Sequence, residues 1–278
     1  MKKILPRVLA VHDMSGFGKC SLTVAIPVIS ACGAEVCPLP TALLSTSTQF
    51  SGWTFFDFTS EMPNYIKHWE AIGLEADAIY SGFLGSAAQI DIIIGMKEKF
   101  GGAKMIIDPV MGDNGVVYQT YTPEMCTKMS ELVAAADIVT PNLTEACILT
   151  GGEYVNVDTS SEGVEKLARE VAKIGAKNVV ITGVERGETL YNCVLENGHY
   201  IELPIKLYPK RMHGTGDLFT SVLTGGIVTG HSLIEAVMSA ANFVYKVVGK
   251  ACEEGEGFMV FETFLSSLSS GTCESVNK

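Results

Sequence analysis

The feature that most constrains the fold is a regular alternation of short apolar runs with longer amphipathic segments. Val8–Val11, Ala76–Tyr80 and Lys104–Asp108 have the length of strands, whereas Ser86–Phe100 has helical spacing. Strands that alternate with helices in this way are typical of βαβ units around a parallel sheet. The sequence therefore predicts a three-layer α/β fold, with a mostly parallel central sheet flanked by helices.

The rest of the chain continues this pattern without an internal repeat or a low-complexity linker. Further strands are predicted at Glu35–Leu39, Asp137–Thr140 and Asn178–Thr182, and a hairpin joins Thr189–Leu195 to His199–Leu203. Further helices are predicted at Cys20–Cys32, Glu61–Ile72, Pro123–Ala136, Thr144–Leu149, Ser160–Ile174, Thr215–Val228, Ser232–Lys250 and Phe261–Ser269. We expect a single domain over residues 1–269 and a polar C-terminal tail over 270–278.

Charge and cysteine content narrow the classes of function. The net charge of −11 argues against a nucleic-acid-binding surface and gives no general attraction to an anionic ligand. A phosphate site must then be built locally from backbone N–H groups, a few cations and a metal. Eight scattered cysteines form no C-x-x-C pair, which favours reduced, buried thiols in a cytoplasmic protein. Val8–Val11 is too short for a signal-peptide core, and no apolar run reaches the ~18 residues that span a bilayer.

The strongest motif is His213-Gly214-Thr215-Gly216-Asp217, which opens a long apolar helix. The two glycines let the backbone turn so that N–H groups converge, and the helix N-terminus adds partial positive charge. Such a hole suits a γ-phosphate, and a carboxylate in the first helical turn can accept the proton of an attacking alcohol. The simpler alternative is an aspartate that only caps a helix after a glycine loop.

A second group of residues follows the predicted strand at Lys104–Asp108. Asp108 and Asp113 lie five residues apart at the strand end, and Mg²⁺ takes one or two carboxylates together with phosphate oxygens and waters. The segment Asp113–Tyr121, which follows a pliable glycine-containing loop, could close over a substrate as a lid. The alternative is an ordinary turn rich in Asp, Asn and Gly.

A third pair, Asn142 and Glu145, lies where a short helix begins after Pro141. Side chains three residues apart can point to the same side of a helix, and an amide and a carboxylate could hold the waters of a hydrated Mg²⁺. Their spacing alone favours the alternative, a capping pair.

Other classes of site find little support in the sequence. Ser15–Ser21 is glycine-rich, but Asp13 and Cys20 occupy the positions at which a P-loop needs glycine and a hydroxyl residue. It is better interpreted as a loop that shapes a small-molecule pocket. The five histidines lack metal-ligand spacing, and no G-x-S-x-G elbow of a serine hydrolase is present.

The order and spacing of the motifs resemble the ribokinase superfamily and, within it, the pyridoxal (vitamin B6) kinases. The glycine-rich first loop, Asp108–Asp113, Pro141–Glu145 and Gly214–Asp217 follow one another as in that family, over about Val8 to Lys250. The segments Gly82-Phe83-Leu84-Gly85-Ser86 and Thr46-Ser47-Thr48-Gln49-Phe50 also look like parts of B6 kinases.

The resemblance implies that ATP and Mg²⁺ are used to phosphorylate the 5′-hydroxymethyl group of pyridoxal, pyridoxamine or pyridoxine, in a homodimer. It makes Asp217 the general base and Gly214, Thr215 and Gly216 the anion hole. The residues facing the substrate would be Asp13, Thr48, Gln49 and Phe83, with Tyr121 in the lid. The nucleotide would be bound by Asp108, Asp113, Thr140, Thr182, Leu203 and Ile205, and the metal by Asp108, Asn142 and Glu145.

Two departures from the family keep alternatives open. Asp13 stands where many pyridoxal kinases carry serine, and Phe83 stands where the family often has tyrosine. An acid suits a protonated pyridine or pyrimidine nitrogen and is similar to what hydroxymethylpyrimidine kinases use, so such a kinase of thiamin synthesis is the main alternative. A protein that binds a B6 vitamer or nucleotide without turnover, and a sugar kinase, are the others.

Overall fold

A computed structural model of the chain describes residues 4–255 and 257–269, and the predicted tail at 270–278 lies outside them. Nine strands form the central sheet: β1 (Arg7–Ser15), β2 (Glu35–Leu44), β3 (Phe55–Asp57), β4 (Ala78–Ser81), β5 (Lys104–Ile107), β8 (Ile138–Val139), β9 (Asn178–Arg186), β10 (Thr189–Glu196) and β11 (His199–Lys206). Two short strands, β6 (Gly112–Asp113) and β7 (Val116–Val117), pair as a separate hairpin.

The spatial order of the sheet is β11-β10-β9-β8-β5-β4-β1-β2-β3. The six strands from β9 to β2 run parallel, whereas β10, β11 and β3 are antiparallel to their neighbours. The carboxyl ends of the parallel strands therefore meet at one edge, where ligands bind in open α/β sheets.

In the part of the chain that the structure describes, eight α-helices cover the two faces of the sheet: α1 (Leu22–Ala31), α2 (Met62–Ala71), α3 (Ala87–Lys99), α4 (Pro123–Ala134), α5 (Leu143–Thr150), α6 (Ser161–Ile174), α7 (Thr215–Val228) and α8 (Leu233–Glu253). Helices α1, α7 and α8 pack into one apolar core, and α2 to α6 pack into the other. Strand β5 contributes side chains to both cores, because Met105 and Ile107 point into one and Ile106 into the other. The predicted three-layer α/β fold is confirmed.

Several predicted boundaries needed correction. Helix α1 begins at Leu22 rather than Cys20, because Ser21 has a φ of 56° that cannot continue a helix. Strands β2, β9 and β11 extend past their predicted ends, and the segment at Phe261–Ser267 is a 3₁₀ helix. The hairpin of β6 and β7 was not predicted, although Asn114 and Gly115, both with positive φ, form the turn that favours one.

Two sequence expectations concern the chain as a whole. Within the described residues, no helix has the length and apolarity needed to cross a membrane. The seven cysteines that the structure describes are all free thiols, and Cys20, Cys147 and Cys193 are buried. Cys273 lies outside the described residues.

Candidate active site

A cleft of about 540 Å³ opens along the carboxyl edge of the sheet. This volume lies in the range typical of small-molecule sites. Most of the residues that the sequence singled out line it: Asp13, Thr48, Phe83, Asp108, Asp113, Thr140, Asn142, Glu145, Thr182, Ile205, Gly214, Thr215, Gly216 and Asp217. The topology of the sheet thus brings together motifs that are far apart in sequence.

Three of the predicted site residues do not line the cleft. Gln49 is exposed in a turn. Tyr121 is buried with its ring edge-on against Phe83, at 6.2 Å between centroids, so its side chain belongs to the core. Leu203 packs on the core beside α7 and α8, because it lies two residues further than Ile205 from the carboxyl end of β11.

The N-terminus of α7 leaves several backbone N–H groups without an acceptor in the helix. Gly214 is its N-cap, with a φ of 81°, and carries no side chain that could cap the helix. The first helical hydrogen bond runs from Leu218 N to Gly214 O, at 2.9 Å. The N–H groups of Thr215, Gly216 and Asp217 precede that bond and therefore have no acceptor within the helix. Such free N–H groups, aided by the helix dipole, bind phosphate or carboxylate groups.

Asp217, in the first turn of α7, is held at both carboxylate oxygens. Its Oδ1 lies 2.9 Å from Nε2 of His12, and its Oδ2 accepts a 2.9 Å hydrogen bond from Ser21 N. Burial opposes ionisation, but His12, the Ser21 N–H and the nearby His213 outweigh it and hold the pKa of Asp217 below its usual value. Asp217 is therefore an ionised carboxylate at neutral pH, able to accept a proton beside the uncapped N-terminus of α7.

Sequence reasoning gave His12 no role beyond excluding it as a zinc ligand. It immediately precedes Asp13 at the carboxyl end of β1, where a bulge lies between His12 and Met14. A bulge of this kind re-aims side chains at the end of a strand. The available signal was the pair of ionisable residues, His12 and Asp13, at the end of a buried strand.

Asp108 is a second buried acid close to the N-terminus of α7. Burial and the like charge of Asp217 raise the pKa of Asp108 to about 7, although His12 and Thr220 partly offset them. A Cβ added to Gly216 would lie 3.7 Å from Oδ2 of Asp108, which places this carboxylate next to the free N–H groups. Burial makes it unfavourable for Asp108 to ionise. A divalent cation bound to its carboxylate would offset that free-energy cost.

Asn142 and Glu145 form a reciprocal capping box at the start of α5. The Asn142 side chain accepts from Glu145 N at 3.0 Å, and Oε2 of Glu145 accepts from Asn142 N at 2.9 Å. Oε1 of Glu145 accepts a further bond from Met111 N. These atoms are already paired and would reach a cation through water. Among the described residues, no cluster of three or more His, Cys, Asp and Glu side chains is arranged for a metal. The chemistry of these donors is compatible with Mg²⁺, which takes few carboxylates and keeps several waters.

Sequence reasoning also missed three basic residues of the cleft. Lys206, Lys210 and Arg211 line the cleft near the end of β11, and Arg211 pairs with Glu185 at 3.0 Å. In a chain of net charge −11 these side chains supply local positive charge. The sequence signal was a run of basic residues in an otherwise acidic protein.

Comparison with known proteins places the chain in a family. The family model described as phosphomethylpyrimidine kinase matches residues 62–262, well over half of the chain. The chain belongs to this kinase family. It is therefore an enzyme, a phosphotransferase of the ribokinase-like superfamily, as its fold and its motifs predicted.

Relatives of two named activities match this kinase. Pyridoxal kinase PdxY of Histophilus somni (strain 2336) is 30% identical over 264 residues, 89% of this chain and 88% of that protein. The hydroxymethylpyrimidine/phosphomethylpyrimidine kinase of Bacillus subtilis (strain 168) is 28% identical over 187 residues, 66% of this chain and 68% of that protein.

A solved structure matches nearly the whole kinase. A Bacteroides thetaiotaomicron protein assigned to the phosphomethylpyrimidine kinases superposes with a TM-score of 0.93 at 35% identity, over 98% of this chain and 97% of that one. An orthorhombic form of it, with pyridoxal, has a TM-score of 0.89 at 36% identity, over 95% and 96% of the two chains.

Proposed function

We propose that this kinase transfers the γ-phosphoryl group of ATP to the 5′-hydroxymethyl group of a B6 vitamer: pyridoxal, pyridoxamine or pyridoxine. The observation that carries the proposal is an ionised Asp217 beside the free N–H groups of an uncapped helix N-terminus, inside a cleft of about 540 Å³. The Histophilus somni relative is named a pyridoxal kinase, and the Bacteroides thetaiotaomicron structure was determined with pyridoxal. Both support a vitamer as the acceptor.

Asp217 is the general base of the proposed reaction. It accepts the proton of the substrate hydroxyl as the oxygen attacks the γ-phosphorus, and the bond from that phosphorus to the bridging oxygen of ADP breaks. The loop at Gly214 and the free N–H groups of Thr215 and Gly216 bind the transferring group while its charge spreads over the outer oxygens. Positioning and electrostatics supply most of the acceleration.

The nucleotide lies over the carboxyl ends of β5, β8 and β9 in this proposal, lined by Asp113, Thr140, Thr182 and Ile205. Lys206 and Lys210 offset part of the phosphate charge. Asp108 would hold Mg²⁺ directly, with Asn142 and Glu145 reaching it through water, and the ion would neutralise charge on the β- and γ-phosphates. The hairpin of β6 and β7 covers this side, tied to α5 by the 2.8 Å bond from Gly115 N to Thr144 Oγ1.

The substrate ring is proposed to lie against Phe83 and Thr48, with Asp13 facing the ring nitrogen. Oδ2 of Asp13 accepts a 2.9 Å hydrogen bond from Ser15 Oγ, which fixes the carboxylate at the bottom of the cleft. The same acid favours the second candidate, a hydroxymethylpyrimidine kinase, because a pyrimidine nitrogen also suits it. The family description and the Bacillus subtilis relative support that candidate too.

The test is ADP release with Mg²⁺-ATP and each of pyridoxal, pyridoxamine, pyridoxine and hydroxymethylpyrimidine. Turnover of a vitamer well above the pyrimidine is the expected result, and turnover of the pyrimidine alone would assign the second candidate. ADP release with none of the four would overturn both. The homodimer, the cytoplasmic location and the single domain over 1–269 stay predictions.

A further inference from the structure

The imidazole of His12 lies directly behind the carboxylate of Asp217. The His12 side chain is 1% exposed, and its Nε2 is 2.9 Å from Oδ1 of Asp217. Ser21 N holds the other oxygen of the same carboxylate. Each carboxylate oxygen thus has one fixed donor and keeps one lone pair for a proton from the cleft.

We propose that His12 is a positioning residue for phosphoryl transfer: its Nε2–H group fixes the orientation of the Asp217 carboxylate and keeps that carboxylate ionised. The inference rests on the proposed role of Asp217 as general base. His12 itself does not touch the reacting atoms, since it acts through Asp217.

The hydrogen bonds around Nδ1 identify Nε2 as the protonated nitrogen. Phe83 N and Asp13 N both donate to Nδ1 of His12, each at 3.1 Å, so in the neutral ring the lone pair lies on Nδ1 and the proton on Nε2. Both donors need that lone pair, so a second proton on Nδ1 does not fit these contacts. The neutral ring therefore donates its Nε2–H group to Asp217.

The backbone is shaped to hold the ring in this one place. A Cβ added to Gly82 would lie 2.0 Å from Nε2 of His12 and 2.2 Å from its Cδ2, so only glycine leaves room for the ring there. Tyr80 packs edge-on against the same ring, at 6.0 Å between centroids. Packing from β4 and the loop after it therefore fixes the ring independently of its hydrogen bond to Asp217.

The charges around the ring explain why it also keeps Asp217 ionised. Asp217 and Asp13 act to raise the pKa of His12, whereas its burial and the two N–H donors to Nδ1 favour the neutral ring. Removing the ring takes away the donor to Asp217, whereas the burial of Asp217 stays, so the pKa of Asp217 should rise. The other titratable groups near this pair are Cys20, Tyr80, Asp108 and His213.

Two substitutions of His12 distinguish the effect of its hydrogen-bond donor on kcat from the effect of its side-chain volume. His12→Leu removes the donor and should lower kcat about 100-fold, with the KM for ATP little changed. The acid limb of its kcat-versus-pH profile should move up by about one unit or more, since Asp217 must still be ionised. His12→Gln keeps an amide donor near Nε2 and should retain a kcat within about 10-fold of wild type.

Gly82→Ala tests the same contact without changing the histidine. The added methyl group should displace the ring and reproduce part of the loss in kcat and of the shift of the acid limb. Gly95→Ala in α3 is the matched control, because a Cβ there has no neighbour within 4 Å; it should behave like wild type. A folded His12→Leu variant with the kcat and acid limb of wild type would overturn the inference.

A spectrum of the imidazole nitrogens keeps this test separate from the proposed function. In ¹⁵N–¹H correlation spectra, His12 should show a protonated Nε2 that exchanges slowly, and its shift should move in Asp217→Asn, where the acceptor is neutral. An unprotonated Nε2 overturns the inference even if the kinase activity is confirmed. A protonated, Asp217-dependent Nε2 in a protein that phosphorylates none of the four substrates supports the contact and overturns only the proposed function.

Discussion

Gly214 and Lys19 approach each other more closely than any side chain would allow. A Cβ on Gly214 would lie 2.4 Å from the carbonyl oxygen of Lys19, and Gly214 also has a φ of 81°. The glycine-rich loop after β1 therefore packs directly on the N-cap of α7. This contact brings Ser21 N within reach of Asp217. The glycine-rich loop at Ser15–Ser21 therefore helps to position the carboxylate that follows Gly214 and Gly216.

This contact predicts different outcomes for two neighbouring glycines. In Gly214→Ala an L residue must adopt a left-handed backbone conformation, and its methyl group must also clash with the Lys19 carbonyl oxygen. The substitution should therefore lower Tm by about 4 °C or more and should also lower activity. Gly216→Ala meets only Oδ2 of Asp108, at the ordinary distance of 3.7 Å. It should keep Tm within about 2 °C of wild type and still lose activity, because the methyl group stands where the phosphoryl group is proposed to bind. Equal loss of Tm in both variants would contradict this account.

Asp13→Asn tests the recognition of the ring nitrogen. The amide keeps the size of the side chain but loses its charge, and a hydrogen bond to a charged group is worth roughly 1.5–3 kcal/mol. The KM for pyridoxal should rise about 10-fold or more, with a smaller change in kcat. Asp91→Asn is the control, since that carboxylate is exposed and pairs with Lys128 on the surface. An unchanged KM in Asp13→Asn would remove the proposed contact.

Asp108→Asn should change the dependence of the rate on Mg²⁺ without lowering the stability of the metal-free protein. The metal-free variant should be at least as stable as wild type, because it removes a buried carboxylate that lies close to the charge of Asp217. Its activity should require several-fold more Mg²⁺, which a titration of rate against Mg²⁺ concentration measures. A variant that is destabilised but has the Mg²⁺ dependence of wild type would show that Asp108 is structural.

Glu202 predicts a pH-dependent contribution to stability away from the cleft. Its hydrogen bonds from Arg186, and also from Tyr200, lower its pKa from 4.5 to about 2. A lowered carboxyl pKa stabilises the fold above the unfolded value near 4.5, and this contribution is lost as the pH falls from there toward 2. Glu202→Gln should therefore lower Tm by about 2–4 °C at pH 7 and by much less at pH 3. An equal loss at both pH values would contradict the linkage.

The sequence predicted the sheet and the cleft because both depend on local signals. Apolar runs of strand length marked the strands, and glycine or proline at their ends marked the loops that carry Asp108 and Asp217. The role of His12 could not be predicted, because the contact to Asp217 spans 205 residues. Asn142 and Glu145 show the opposite case: the capping box that their spacing favoured is present.

Side-chain direction was the other limit. Leu203 and Tyr121 lie in the expected segments, but Leu203 is too far from the carboxyl end of β11 to line the cleft, and packing on Phe83 holds Tyr121 in the core. Periodicity places a residue on an element, and only the neighbouring elements decide whether its side chain faces the cleft.

The rate of pyridoxal phosphorylation by wild type and by Asp217→Asn, measured side by side with Mg²⁺-ATP, tests the central claim most directly. The account predicts clear turnover by wild type and a loss of at least about 100-fold in a folded variant that still binds ATP. A folded Asp217→Asn protein that phosphorylates pyridoxal at the wild-type rate would contradict the assignment of Asp217 as the base.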